Sequence, residues 1–256
     1  STNHDLINQL NQTPGAKIIV IENLQHMFLK KVHGFESLEL LFELMSNTSK
    51  KIMWIGAFTP HSWEYLEKSV CISNYFTNEI RLEKLSDDII RGIIYKRNRL
   101  SGYKIGFIPD QEIAASKAFV KLSETAKQNY LQKIFFTNLN RLANGNISLA
   151  QMYWLRSTQK VDERTIHIAA IGGLDFSFIK SLSSDSLFAL QVLLLHDGLK
   201  LQDFAVVMNQ PESVSRNLLI PMLEKGLLIR PREKFNINPM IFKYVASYLS
   251  SKNFIH

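Results

Sequence analysis

The run Lys17-Ile18-Ile19-Val20-Ile21-Glu22 decides how this chain is read. An unbroken stretch of β-branched residues ending in an acid has the pattern of a strand buried in a parallel sheet, with a carboxylate leaving its C-terminal end. Lys51 opens a second such run, Ile52-Met53-Trp54-Ile55-Gly56-Ala57. Between them the spacing predicts a helix over 35–48, with Phe35, Leu38, Leu41, Phe42 and Met45 on one stripe. Two apolar strands joined by a helix form a βαβ unit, parallel and right-handed. A helix over 61–68 and an extended piece over 69–82, ending in Ile80-Arg81-Leu82, complete this first region.

The next region reads as helical. Ser86 has the character of an N-cap with Asp87 and Asp88 in the first turn, and Ile89, Ile90, Ile93 and Ile94 supply an apolar stripe. Gly102 and the segment Gly106–Pro109 punctuate the chain. Ser123 caps a long helix through Asn140, with Tyr130, Leu131, Ile134, Phe135 and Leu139 facing inward, and Asn144-Gly145 closes it. A short helix over 147–156 follows. The polar run 157–165 is expected to be an exposed linker. A short strand, Ile166 to Ile171, is ended by Gly172-Gly173. Helices over 183–196, 201–208 and 213–225 come next, with Pro211 at the start of the third and Gly226 after it. A hairpin, 227–237, turns around a charged tip, and a last helix covers 239–250. Three helices followed by a hairpin is winged-helix order.

Composition narrows the class. Of 256 residues 46% are apolar and 21% charged, which excludes a wholly disordered chain. A single cysteine, Cys71, excludes an intrachain disulfide and fits a reducing compartment. No apolar run approaches the roughly 18 residues that span a bilayer, and no signal peptide is recognisable, so a cytoplasmic location is expected. The net charge of +7 is unevenly spread. Residues 81–104 and 226–256 are each locally +4, whereas 175–225 is −2, so basic surface flanks the helix-turn-helix instead of lying in it.

A buried strand with an emergent acid is the physical requirement of a Walker B motif, because the carboxylate must appear where Mg²⁺ and phosphate sit. Ile18 to Gln25, the following helix and Lys51 to Pro60 together resemble the Walker B to sensor 1 stretch of AAA+ ATPases, in particular bacterial members of the origin-recognition-like (Orc) and STAND-like kind. Residues 85–156 resemble their helical lid, with Gly145-Asn146-Ile147-Ser148-Leu149 similar to the turn before the sensor 2 helix, and residues 183–250 resemble their winged helix. The fold class implied is α/β: a partial P-loop NTPase (AAA+-like) core over 1–84, a lid over 85–156, a linker over 157–165 and a winged-helix domain over 166–256. The resemblance places Glu22 at the Walker B aspartate, Asn23 at the catalytic glutamate and Thr59 at the sensor 1 polar position. It implies ATP and Mg²⁺ as cofactors of the intact protein, with Glu22 serving the metal through the nucleotide.

The chain departs from that pattern. No G-x-x-x-x-G-K-[S/T] occurs, and Thr13-Pro14-Gly15-Ala16-Lys17 lacks both the glycine spacing and the trailing hydroxyl. Asn23 has no useful basicity. No arginine stands near Ile147-Ser148 or over Ser73 to Phe76, where the family's sensor 2 arginine and arginine finger belong. Two explanations stay open: the chain is the C-terminal part of a larger ATPase with a regulatory or motor role, or it is a degenerate relative that binds no nucleotide. The first makes a missing N-terminal part of the same protein a partner. The second makes the chain a docking scaffold for a protein partner or for self-association.

A third reading, a DNA-binding regulator, rests on Ser213, Ser215, Arg216 and Asn217 as exposed positions of the recognition helix and on Arg230, Arg232 and Lys234 in the wing. Glu212 and Glu224 weaken it. None of the seven histidines stands in a zinc spacing. His26 and His33 read as surface residues, His196 as a helix-ending histidine favourable against the dipole, and Cys71 as a small core residue.

Overall fold

The computed structural model describes residues 2–12, 14–48, 50, 52–172 and 176–255; Thr13, Lys51 and Gly173, named above, lie outside the described residues. A helix not anticipated from the sequence, α1 (Thr2–Gln12), precedes the first strand. Strand β1 (Lys17–Ile21) is joined through α2 (Glu36–Ser46) to β2 (Ile52–Gly56), and the two strands pair in parallel, Ile18 opposite Met53 and Val20 opposite Ile55. The parallel βαβ arrangement is as expected, but its burial is not. Burial alternates along both strands. Ile21 and Trp54 pack with Leu24, Leu41 and Leu44, joined by Ile7 and Leu10 of α1. On the other face Ile18 is 66% exposed, Val20 57%, Met53 60% and Ile55 40%. The cause is that α1 and α2 contribute apolar contacts to a single side.

Thr59 caps α3 (Pro60–Val70), and a 3₁₀ turn, Ile72–Tyr75, follows. The extended piece expected over 69–82 is not a strand: the helix runs on to Val70, Cys71 turns the chain in the left-handed region (φ 51°), and Ile72 is driven beside Leu66, both fully buried. Cys71 is exposed, contrary to its reading as a core residue, because the reversal carries it outward.

Contacts divide the chain into two units, residues 1–79 together with 176–256, and residues 80–175. In the second unit α4 (Asp87–Arg99) begins at the Ser86 cap, whose hydroxyl accepts from Ile89 N–H. Ile90 and Ile94 are buried, whereas Ile89 is half-exposed. Gly102 is followed by strand β3 (Lys104–Ile108), where the sequence suggested only punctuation. Short helices α5 (Gln111–Ala115) and α6 (Lys117–Val120) lead to the long α7 (Glu124–Ala143), capped by Ser123 and ended by Asn144 at φ 53°. Tyr130, read as inward, is 46% exposed. After α8 (Ile147–Arg156) the run expected to be a linker forms strand β4 (Thr158–Asp162) and the turn into β5 (Thr165–Ala169). The sheet order is β3-β5-β4, with β5 parallel to β3 and antiparallel to β4. An edge strand can be polar, because its side chains and free edge meet water, and that polarity is what resembled a linker. Phe107 of β3, Phe135 and Phe136 of α7 and Trp154 of α8 form an aromatic core with ring centroids 5.4–6.5 Å apart.

The chain then returns to the first unit through a 3₁₀ turn, Ser177–Ser181. Helix α9 (Ser184–Leu195) is apolar all round, and Ala189, Leu190, Leu193 and Leu194 are buried. Helices α10 (Leu201–Val207) and α11 (Glu212–Glu224), the antiparallel pair β6 (Leu228–Ile229) and β7 (Asn236–Ile237), and α12 (Pro239–Ser251) pack about it, with Phe204, Leu219, Phe235 and Val245 nearly inaccessible. The protein is therefore a mixed α/β fold with small open sheets among helical segments. Among the described residues no helix is long and apolar enough to cross a membrane.

Candidate functional site

The C-terminal end of β1 brings together the three residues assigned to a nucleotide. Pairing continues past the strands: Ala57 N–H donates to Ile21 O, and Leu24 N–H to Ala57 O. Glu22 is exposed there. It follows Ile18 and Val20 in the alternation, and so falls on the uncovered face. Asn23 adopts a left-handed conformation (φ 58°), and its amide oxygen accepts from Gln25 Nε2 at 3.3 Å. The Thr59 hydroxyl lies 2.5 Å from Ser62 Oγ and accepts from Ser62 N–H, so it serves as a helix cap. Asn23 and Thr59 are thus engaged in local hydrogen bonds, while the Glu22 carboxylate faces solvent. One exposed carboxylate suits a Mg²⁺ held chiefly by nucleotide phosphates and water, and not an ion held by protein. Among the described residues no group of three or more His, Cys, Asp or Glu side chains could hold a metal.

The nucleic-acid candidates are dispersed. Arg216 and Asn217 are exposed on α11, as is Ser213. Ser215, expected to be exposed, is fully buried and accepts from Gln210 Nε2 at 3.0 Å. At the hairpin the Arg230 guanidinium stands 5.0 Å from the Phe235 ring centroid, a cation–π arrangement. Arg232 is exposed in a left-handed turn (φ 48°). Lys234 departs from its neighbours, being half-buried at the rim of a cavity.

That cavity is the feature the sequence did not announce. It holds about 150 Å³ and is bordered by Gln25, His26, His196, Lys200, Asp203 and Lys234. The turn after α9 shapes it. Asp197 (φ 50°) and Gly198 (φ 91°) reverse the chain, and a Cβ on Gly198 would meet the Asn236 amide at 2.4 Å, so only glycine fits. His196 is completely buried. Its Nε2 accepts from Lys30 N–H at 3.3 Å, and its ring packs 4.8 Å from Phe28. Burial pushes its pKa down to about 4; the Gln25 carbonyl opposes this, and the charges of His26 and Lys30 add to it. A neutral imidazole gains nothing as a cation from the helix dipole, so the expected dipole role does not hold.

With Nε2 accepting, the proton resides on Nδ1, which has no hydrogen-bond partner of standard geometry among the described residues. The Gln25 backbone carbonyl stands by the ring and favours its protonated form. Gln25 is 1% exposed, and its Oε1 is likewise unpartnered. His26, read as a plain surface residue, is exposed at the cavity rim, its pKa lowered by partial burial and by Lys234 against the pull of Asp197. His33 is exposed. The available signal for this cluster was a glutamine and a histidine inside otherwise apolar patterns, since buried polar side chains are rare without a partner.

Compared with known proteins, the chain matches no family model and no curated protein.

Proposed function

We propose that this chain is the Walker B to C-terminal portion of an AAA+-type ATPase with a regulatory or motor role, its last 80 or so residues forming a winged helix used for docking. The observation that carries the reading is the parallel β1–β2 pair, with Glu22 at its C-terminal end and one face uncovered. Parallel sheets occur almost only with both faces covered. The uncovered face, Ile18, Val20, Met53 and Ile55, therefore calls for a further α/β layer, and a layer carrying a phosphate loop would set it beside Glu22. The chain alone does not hydrolyse ATP on this reading, since it has no phosphate loop and position 23 is an amide.

The test is phosphate release under saturating Mg-ATP by this chain and by the full product of its gene, each with Glu22→Gln. Turnover is expected in the full product alone and is lost in Glu22→Gln. Turnover by this chain that Glu22→Gln abolishes, or a full product that neither binds nor turns over ATP, would overturn the proposal.

A nucleotide-free docking scaffold is the second reading, favoured by the engagement of Asn23 and Thr59 in local structure. A DNA role finds less support. Arg216 and Asn217 are available to bases, but Arg230 is committed to a ring and Lys234 to the cavity. Few phosphate contacts imply weak, shallowly salt-dependent duplex binding.

A further inference from the structure

We propose that the turn joining α4 to β3, with the β4–β5 turn beside it, is a docking tip for an anionic phospholipid surface. Leu100 and Tyr103 enter the interface, and Lys96, Arg97, Arg99, Lys104 and Arg164 meet the headgroups. The tip lies within the second unit and owes nothing to the nucleotide reading.

Charge is divided unequally between the two units. Residues 80–175 hold 15 Lys and Arg against 9 Asp and Glu, so +6 of the net +7 belongs to the second unit. Within it, the topology gathers cations at one end of the sheet. Strands β3 and β5 are parallel and start level, Lys104 opposite Thr165, and Lys104 N–H donates to Arg164 O at 2.7 Å. Helix α4 reaches β3 through only four residues, 100–103, so Lys96, Arg97 and Arg99 stand at that same end. All five cationic residues are exposed. Arg97 also donates to Gln151 Oε1 on α8. The acids nearby oppose them little: Asp162 is engaged by Lys160 at 2.8 Å and His167 at 3.0 Å, which leaves Glu163. The last-turn cations of α4 also suit the helix dipole, but Lys104 and Arg164 belong to strand and turn and gain nothing from it.

The apolar part of the tip separates a bilayer from other polyanions. Leu100 is 88% exposed and Tyr103 40%. Leu100 follows Lys96 by four residues and Arg97 by three, so both cations flank it. A leucine gains nothing against a phosphate backbone, which is held by cations and polar groups. At the headgroup boundary its burial is favourable, tyrosine sits at that depth, and long cationic side chains reach out to the phosphates. The tip is also shaped before it docks. Asn98 Nδ2 donates to Tyr103 O at 3.0 Å, Ser101 Oγ to Asn98 O at 2.6 Å and Gly102 N–H to Arg99 O at 3.3 Å. Little conformational freedom is then lost on binding. Two shallow apolar side chains do not anchor a protein by themselves, so attachment is reversible and requires anionic lipid.

The experiment is flotation of the chain with vesicles of phosphatidylcholine, with and without phosphatidylserine, at low and raised salt, beside a titration with duplex DNA. Binding is expected only to the vesicles containing phosphatidylserine, and salt should weaken it. Arg99→Ala/Lys104→Ala/Arg164→Ala should weaken it on the order of a hundredfold, roughly fivefold for each cation. Lys68→Ala/Lys180→Ala/Lys225→Ala removes the same charge from exposed positions of the first unit and should change binding by less than about twofold. Leu100→Ser, checked for folding by circular dichroism, should weaken binding roughly tenfold. Should Leu100→Ser fail to fold, the lipid comparison and the two triple variants decide alone. Flotation with neither vesicle type or equally with both, an unchanged Leu100→Ser, or equal losses in the two triple variants overturns the proposal. Duplex binding that depends on Arg99, Lys104 and Arg164 but not on Leu100, without flotation, would assign the surface to nucleic acid instead.

Discussion

The chain contains two sheets built around a parallel pair, and they differ in how far they are finished. In the second unit the β3·β5 pair is closed by its surroundings. Ile105, Phe107, Ile108, Ile166 and Ile168 are all buried or half-buried. The free edge of β3 is occupied by the Gln128 side chain, which donates to Phe107 O and accepts from Phe107 N–H. Strand β4 takes the other edge of β5. The β1·β2 pair has none of this. One face is supported by α1 and α2, and the opposite face presents aliphatic side chains to solvent. The difference teaches that a parallel pair is stable locally only when chain nearby in sequence happens to cover it, and that a pair left half-covered marks a surface waiting for a partner layer.

The comparison can be broken most forcefully at Phe107. It sits within edge strand β3 of the closed sheet, packed against Phe135, Phe136 and Trp154. Phe107→Ala should cost about 3–5 kcal/mol by denaturant unfolding, from lost burial and the cavity left behind. A loss below about 1 kcal/mol would mean that the second unit is not organised around this sheet.

Acid should act next, and on the first unit. The His196 pKa is lowered to about 4 in the fold against 6.5 for a free histidine. The unfolded chain therefore binds this proton more readily, so stability is full above about pH 6.5 and falls as pH drops toward 4. The loss from this residue is about 3 kcal/mol by linkage. His26 and His61, also lowered by burial, act with the same sign. Unfolding followed from pH 7.5 to 4 should show the decline, flattened in His196→Gln. A flat profile in the parent chain would remove His196 from the buried, neutral state.

Gln128→Ala should cost about 1–3 kcal/mol, because it strips partners from both the N–H and the carbonyl of Phe107. The further expectation is faster hydrogen exchange at Phe107. Protection there equal to that of the parent would show that the edge needs no side-chain cover.

The smallest effect belongs to the uncovered face. Ile18→Thr with Met53→Thr should change stability by no more than about 0.5 kcal/mol, since both side chains already face water. The same pair should lower binding of a hydrophobic dye. A large destabilisation would mean that the face is covered after all and would unmake the contrast between the two sheets.

Much of the secondary structure was legible because its signals are local. Ser86 and Ser123 each cap a helix, as read, through a bond to an N–H three residues on; the cap at Thr59, read instead as a sensor 1 residue, emerged only in the structure. Asn144 ends α7 in the left-handed region that asparagine tolerates. Strands β1 and β2 were legible from β-branched runs. The β4–β5 hairpin was not, because Ser157 to Arg164 is polar and an edge strand shares its composition with a linker. Strand β3 was obscured by Gly106, which lies opposite His167 on β5, where a Cβ would be in only ordinary contact.

The sequence by itself determined that Ser86 and Ser123 would start helices and Asn144 would close one, that β1 and β2 would pair in parallel, and that an acid would stand at the end of β1. These follow from backbone sterics, capping and hydrophobic period, which act over a few residues. Only the tertiary structure decided that one face of that pair is bare, that Cys71 turns outward, and that Gln25 and His196, 171 positions apart, border one cavity with Lys200 and Lys234. Burial and the pairing of polar groups are properties of what surrounds a residue, and no local pattern carries the identity of neighbours so distant along the chain.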